Sequence, residues 1–288
     1  MTTKGFFTIA QGAKYIRFAY ALALSLKISQ PEHYKLSIGI TPGQKVSKKM
    51  RQVFDQVIDI PWGDAAKDSS WKLENEWKAI YMSPYDQTIK LDADMLFPTN
   101  IAEWWNVLEK SPVVFATDAR TYRNEVVTSD YYRQVFTQNN LPNVYTAFFY
   151  FDKSEESFEL FKLAEVIYNN WERFFFEFFE AEHRPTIVST DVVFALAAKI
   201  LNIEEQNKMK GIGVPTLVHM KTELQKWNST DNNNMTIPEE WNKVVQVYFN
   251  DECELKIGNY RQTFPVHYHL KDFLTDEMIA AMERKLKL

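Results

Sequence analysis

The sequence predicts an α/β fold in which helices flank a mixed, mostly parallel β-sheet. Strand and helix patterns alternate through residues 6–116, and such alternation is typical of parallel strands joined by helices. Hydrophobic residues make up 45% of the 288-residue chain and charged residues 25%, ordinary proportions for a soluble globular protein. A chain of this length buries enough apolar surface to fold without disulfides or structural metals.

The first part of the chain contains four predicted strands separated by helices. Residues 6–10 form an apolar strand, and the helix after it carries apolar residues on one face of a 3.6-residue period: Tyr15, Ala19, Leu22 and Leu26. Residues 36–40 alternate as a second strand, which Pro42 and Gly43 end. A helix at 47–54, a strand at 57–60 and a helix at 71–82 lead to an apolar strand at 88–91.

The rest of the chain is less regular. It predicts strands at 113–116, 143–151 and 264–269, and helices at 101–110, 154–180, 190–201 and 275–288. Thr275 suits the N-cap of the last helix, and Asp191 lies in the first turn of the helix at 190–201, where a negative charge suits the helix dipole. Because no repeat or linker separates these elements, we expect one domain over residues 1–288.

Composition excludes several classes of site. The net charge of −5 argues against a general polyanion binder, although it leaves room for a local basic groove. With 8 glycines the chain has neither a GxGxxG nor a GxxxxGK phosphate loop. Cys253 is its one cysteine, which excludes an internal disulfide and a cysteine-based zinc site.

The sequence also bears on where the protein works. Residues 1–10 contain no basic segment followed by an apolar one, as a secretory signal would. The apolar stretch at 18–26 is far shorter than the ~20 residues that span a bilayer. We therefore expect a cytoplasmic protein.

The strongest chemical signal is the Asp-x-Asp of Asp92, Ala93 and Asp94, directly after the strand at 88–91. Ligands of parallel sheets bind beyond the carboxyl ends of the strands, which also directs attention to Ala10 and Ala116. Two carboxylates two residues apart repel each other unless a cation lies between them, and oxygen ligands suit Mg²⁺ or Mn²⁺. Ala93 leaves room for a ligand against the backbone. The alternative is a pair of solvated acids at a strand end.

Two histidines follow one another in the late strand. His267 and His269 alternate around Tyr268, so both face one side of a strand. One could ligate a metal while the other orients a substrate group. The alternative for each is a surface histidine or one satisfied in the core.

Two enzyme classes place Asp-x-Asp after a strand. Haloacid-dehalogenase-type phosphatases need a threonine where this chain has Leu96, and they place the motif near the chain start, so that class does not fit. The other class is the nucleotide-sugar glycosyltransferases of the GT-A fold.

Several segments resemble the glycogenin-like family 8 glycosyltransferases. They are the opening strand, loop and helix at 6–27, the block at 71–97 that ends in Asp-x-Asp, its exit at 98–101, and the late strand at 266–271. The resemblance implies a GT-A (Rossmann-like) domain, with a nucleotide-binding half at 1–118 and an acceptor-side half at 119–288 that carries the metal-completing strand. It also implies a UDP-sugar donor, Mn²⁺ or Mg²⁺, and retention of anomeric configuration.

The resemblance assigns roles to individual residues. Asp92 and Asp94 would hold the metal together with His267 or His269, and Asp191 would face the sugar and acceptor. The remaining positions would contact the nucleotide or its diphosphate: Thr8, Ala10, Tyr15 (stacking on uracil), Lys78, Ala93 and Lys271. Alternatively, Tyr15 faces the core, Lys78 is a solvated helix lysine, and Asp191 only caps its helix.

The acceptor is open. Short transferases of this kind occur in large tailed phages, where some modify hydroxymethylated cytosine in DNA, so modified DNA is the leading expectation, ahead of protein, glycan or a small molecule. Arg120 and Arg123 are candidates for a phosphate-bearing acceptor, or else surface arginines. Two other classes remain: a metal-dependent nucleotidyltransferase and a non-catalytic sugar or nucleotide binder. The sequence does not indicate an oligomeric state.

Overall fold

The predicted alternation of strands and helices is present in the computed structural model. It describes residues 2–68, 74–127, 133–185, 188–203, 214–220, 227–228, 234–235, 246–268 and 270–288. The strands are β1 Lys4–Ala10, β2 Lys35–Ile40, β3 Val57–Asp59, β4 Gln87–Leu91, β5 Met95–Leu96, β6 Val113–Ala116, β7 Asp118–Arg120, β8 Tyr145–Asp152, β9 Thr216–Met220, β10 Trp227–Asn228, β11 Asn234–Met235, β12 Val247–Phe249, β13 Leu255–Ile257, β14 Tyr260–Arg261 and β15 Val266–Tyr268.

The helices of the described residues vary widely in length. They are α1 Ala13–Ser29, α2 Lys48–Arg51, α3 Ala79–Met82, α4 Trp105–Leu108, α5 Gln134–Gln138, α6 Glu155–Asn169, α7 Trp171–Phe178, α8 Thr190–Ile200 and α9 Asp276–Leu286, with 3₁₀ turns at Glu76–Lys78, Ala102–Trp104 and Ala181–His183. Among these described helices, none has both the length and the hydrophobicity needed to cross a bilayer.

A central six-stranded sheet organises the molecule, with the order β3-β2-β1-β4-β8-β6. The first four strands in this order are parallel, while β8 runs antiparallel to both β4 and β6. This confirms the predicted α/β class with a mostly parallel sheet. The carboxyl ends of β1, β2 and β4 therefore meet at one edge, where Asp92 follows β4.

Both faces of the sheet are covered, which explains why its strands read as continuous apolar runs. Neighbouring residues of β1 enter different cores: Phe6 packs in the core that holds α1 and α9, and Phe7 in the core that holds α6 and α8. This alternation is the two-residue period of a strand expressed on two buried faces.

A second, four-stranded sheet has the order β5-β15-β9-β7. The last strand of the chain, β15, lies inside it, antiparallel to β5 and parallel to β9. Because β5 begins just after Asp94, this pairing brings the C-terminal segment to the end of β4. In the register, His267 is opposite Met95 on one side and His219 on the other.

Several predicted helices differ from the structure. The helix expected at 101–110 is a 3₁₀ turn followed by the single turn α4, and the helix expected at 47–54 is the four-residue α2. The helix expected at 154–180 is two helices, α6 and α7, which meet at Asn170, whose φ of −127° is not helical. The side chain of Asn170 donates to the carbonyl of Val166, and a side chain that bonds the backbone in this way competes with the helix ladder. Of the helix expected at 71–82, the described part is a 3₁₀ turn followed by the single turn α3.

Candidate metal centre

Three side chains converge beyond the end of β4. One oxygen each of Asp92 and Asp94 and a ring nitrogen of His267 all lie within 4.8 Å of one another. The Nε2 atom of His267 is 3.6 Å from Oδ2 of Asp92 and 3.4 Å from Oδ1 of Asp94. The sequence predicted both aspartates and one of two histidines, and the structure brings His267 to them. His269 lies outside the described residues.

Backbone hydrogen bonds fix the loop that carries the two aspartates. The amide of Asp92 donates to the carbonyl of Ala147 on β8, at 2.9 Å, and the amide of Tyr268 on β15 donates to the carbonyl of Asp94, at 3.1 Å. The loop is therefore held from both sides, by β8 of the central sheet and by β15 of the second sheet.

A lysine occupies the other oxygen of each aspartate. The ammonium of Lys90 is 2.8 Å from Oδ1 of Asp92, and that of Lys271 donates to Oδ2 of Asp94. These contacts leave Oδ2 of Asp92 and Oδ1 of Asp94 on the side of His267. The two lysines thus orient the carboxylates toward a common centre.

Lys90 is part of a buried chain of charges. Its side chain is 1% exposed and forms a second ion pair with Glu76, which is also buried. Burial opposes the charge on Lys90, but Asp92 and Glu76 outweigh burial and raise the pKa of this lysine. Burial also raises the pKa of Glu76 to about 7, against the attraction of Lys90. The lysine therefore stays charged and serves as the counterion of Asp92.

The electrostatics of Asp94 favour a charged carboxylate. Burial alone would raise its pKa, but His267 and Lys271 together lower the pKa of Asp94 well below its usual range. The side chain is thus ready to act as an anionic ligand. Two carboxylate oxygens and an imidazole nitrogen are a donor set that suits Mn²⁺, and Mg²⁺ with water completing the shell. These residues fit a divalent cation.

Three small residues predicted to contact the nucleotide lie at or next to the same sheet edge. Thr8 is buried opposite Leu91, the last residue of β4, and Ala10 ends β1 opposite Ile40. Ala93 lies between the two aspartates and is buried. Their contacts with a nucleotide remain predictions.

Tyr15 and Lys271 are neighbours. The ammonium of Lys271 is 5.7 Å from the ring centroid of Tyr15, and also 5.7 Å from that of Phe18. Tyr15, at the start of α1, is half-buried, so it combines packing against the core with a position close to the lysine that binds Asp94. Its stacking on a uracil remains a prediction.

Lys78 is buried in the 3₁₀ turn before α3, rather than solvated. Its ammonium donates to the carbonyl of Gly63 at 2.6 Å, and burial lowers its pKa, although Asp64 and Glu165 oppose this. In the same turn, Glu76 is the residue that connects to Asp92, through Lys90. A phosphate contact for Lys78 remains a prediction.

Asp191 forms a buried network at the start of α8. Its Oδ1 accepts from the backbone amide of Thr146, at 2.9 Å, and from its hydroxyl, at 2.6 Å, while Oδ2 is 2.7 Å from Arg133. Burial opposes the charge, but Arg133 and Thr146 outweigh it and lower the pKa of Asp191. Asp191 thus joins α8 to β8 as an anion, and its contact with a sugar remains a prediction.

The two arginines proposed for an acceptor make local contacts. Arg120 donates to the carbonyl of Asn124 at 2.9 Å and lies 4.5 Å from the ring centroid of Phe264. Arg123 is 3.6 Å from a carboxylate oxygen of Glu125. Both arginines are partly buried, and a contact of either one with a phosphate-bearing acceptor remains a prediction.

Sequence reasoning missed three residues around the centre: Glu76, Lys90 and His219. A signal was present for each of the last two. Lys90 interrupts an apolar strand, where a lysine needs an acidic partner, and Val218-His219-Met220 repeats the apolar-His-apolar pattern of Val266-His267-Tyr268. Glu76 lies in a polar stretch, and nothing in its neighbours indicates burial.

No protein-family model and no curated protein sequence matches the chain. Among solved structures, the chain is similar to mouse xyloside xylosyltransferase 1 in its apo form, with 14% sequence identity and a TM-score of 0.41, over 68% of this chain and 81% of the mouse chain.

Proposed function

We propose that the protein is a metal-dependent glycosyltransferase that transfers a sugar from a UDP-sugar to an acceptor. The observation that carries this proposal is the convergence of Asp92, Asp94 and His267 at the carboxyl edge of a mostly parallel sheet. That edge is where such sheets bind nucleotides. A divalent cation bound there would neutralise charge on the diphosphate as UDP departs.

The chain's own residues have separable tasks in this proposal. Asp92, Asp94 and His267 hold the cation, and Lys90 keeps Asp92 in position. Lys271 binds Asp94 and lies beside Tyr15, so its ammonium can also bind a diphosphate oxygen and add positive charge near the leaving group.

The other predicted contacts form the rest of the donor site. Thr8, Ala10 and Ala93 would contact the nucleotide at the sheet edge. Tyr15 would stack on the base, and Lys78 would contact the diphosphate. Asp191 would face the sugar, with retention of configuration at the anomeric carbon. These roles follow from the family resemblance and from the position of each residue in the sequence.

The acceptor class follows from the resemblance alone. Hydroxymethylated cytosine in DNA is the first acceptor to test, and the hydroxyl group of a protein, a glycan or a small molecule comes next. DNA would need a local basic surface, because the chain as a whole carries a charge of −5.

Turnover of UDP-sugars tests the function directly. Purified protein is incubated with Mn²⁺ and each of several labelled UDP-sugars, with and without hydroxymethylated DNA, and release of UDP is measured. We expect release with at least one donor, and we expect Asp92→Asn and Asp94→Asn to abolish it, because each removes a charged ligand. Asp251→Asn is the control, because it removes an exposed carboxylate that pairs with Arg284 of α9.

Two results contradict the proposal. Turnover that is unchanged in Asp92→Asn and Asp94→Asn would reject the metal role of these carboxylates. Consumption of nucleoside triphosphates, with no release of UDP from any sugar donor, would instead identify a nucleotidyltransferase.

A further inference from the structure

We propose that His219 is a positioning residue, which holds the imidazole of His267 with its Nε2 atom toward Asp92 and Asp94. This inference rests on the proposed metal site and adds a residue to it. His219 itself is not one of the three converging ligands. Its position in the fold and its ring contacts carry the argument.

The register of two parallel strands places the histidines side by side. His219 on β9 is the partner of His267 on β15, and neighbouring residues of paired strands project from the same face. The ring centroids are 4.8 Å apart, with 34° between the ring planes. Both side chains are buried, with residue exposures of 3% for His219 and 6% for His267.

His219 is supported from its other side. The ring of Tyr145 meets it edge-on, with centroids 5.8 Å apart and 69° between the planes. Tyr145 is in turn covered by the guanidinium of Arg133, 4.2 Å from its ring centroid, and Arg133 is paired with Asp191. The ring of His219 is therefore enclosed between a fixed network and His267.

The ring plane of His267 needs such support. The χ2 torsion of a histidine has a broad energy well, so contacts rather than torsion preference decide where Nε2 points. Removing a hydrogen-bonding partner of a metal ligand typically weakens metal affinity or activity by about 10- to 100-fold, and we expect loss of a ring contact that fixes the same imidazole to act in the same direction. Against His267, the tilted ring of His219 provides one of these contacts.

The test compares the Mn²⁺ affinity of full-length variants, measured from the electron paramagnetic resonance signal of free Mn²⁺ during titration. We expect His219→Ala to raise the Kd by roughly tenfold or more. His219→Phe keeps an aromatic ring at the position and should restore a Kd close to that of the wild type. Met220→Ala removes buried bulk from the opposite face of the same strand and should leave the Kd unchanged.

Each alternative result overturns the proposal. A wild-type Kd in folded His219→Ala, or an equal loss in the Ala and Phe variants, would show that the ring does not position His267. Should His219→Ala fail to fold, His219→Phe decides alone, because a weakened Kd in that variant contradicts a role for the ring. Failure of this inference is distinct from failure of the proposed metal site, in which the wild type itself would not bind Mn²⁺. It is also distinct from failure of the proposed transferase activity, which the UDP-release assay reports separately.

Discussion

At the scale of single residues, Lys90 is the cation that pairs with two acidic side chains at the site. It is the shared counterion of Glu76 and Asp92, and both Lys90 and Glu76 are buried. We expect Lys90→Met at about pH 8 to lower the free energy of unfolding by roughly 3 kcal/mol, because it leaves buried charge unpaired. Urea denaturation measures this loss.

An exposed ion pair provides the matched control for Lys90→Met. Lys35 is 3.4 Å from Asp55, and its side chain is 60% exposed. Because water screens such pairs, Lys35→Met should cost no more than about 1 kcal/mol. Equal losses in the two variants would show that burial does not set the energy of the Lys90 contacts.

Glu76 should make stability depend on pH. Its pKa rises from 4.5 to about 7 on folding, so the folded protein binds this proton more tightly than the unfolded chain does. The contribution to stability is thus fully present below the unfolded pKa and is lost as pH rises through about 7. Glu76→Gln cannot titrate, and its urea midpoint should change less than that of the wild type between pH 5 and pH 7.5. A variant that loses as much as the wild type would contradict this assignment.

The sequence indicates the candidate metal ligands better than it indicates the residues that hold them in position. Asp92 and Asp94 stand out because two acids between apolar runs need a partner, and His267 because of its strand. Glu76 does not stand out, because its burial goes with the ion pair between its 3₁₀ turn and Lys90 of β4, which no local pattern in the sequence indicates. The sequence shows that a charged residue is present, but only the tertiary structure shows which residue pairs with it.

At the scale of elements, the N-terminus of α8 determines where Asp191 lies. The hydroxyl of Ser189 accepts from the amide of Val192 at 3.3 Å, so α8 begins with its first turn capped. Ser189→Ala should cost about 1 kcal/mol of unfolding free energy, because it leaves that amide without its cap. Ser189→Thr retains a hydroxyl and is the control. Equal stability of the Ala variant and the wild type in urea would show that Asp191 and its partners hold the helix without the cap.

Long periodic elements were predictable, and some of the short strands were not. The strand β1 and the helices α1, α8 and α9 lie close to their predicted positions, because each repeats its apolar pattern over several turns or residue pairs. β5 has two residues and β7 three, which is too few to show any period. β5 and β7 are the two edge strands of the second sheet, so the strand that delivers His267 was predictable but these edge strands were not.

At the scale of the whole molecule, the candidate site exists only in the complete fold. Asp92 and Asp94 belong to the first half of the chain, while His267 and Lys271 come from its end and reach the site because β15 lies between β5 and β9. Helix α9 helps to hold the C-terminal segment against α1. Asp276 of α9 is 2.6 Å from Arg17 of α1, and Glu283 of α9 accepts a hydrogen bond from Tyr20 at 2.8 Å. Binding of a cation should therefore stabilise the chain globally.

Mn²⁺ should raise the melting temperature of the protein as a whole. At about 100 times its Kd, a ligand that binds only the folded state adds about 2.7 kcal/mol, which corresponds to roughly 5 °C for a chain of this size. Calorimetry with and without Mn²⁺ measures the shift, which His267→Ala should abolish. His33→Ala, which removes an exposed histidine next to the ring of Tyr34, should retain the shift. A shift of the same size in His267→Ala would show that the cation binds elsewhere, because His267 is the ligand that β15 contributes to the proposed site.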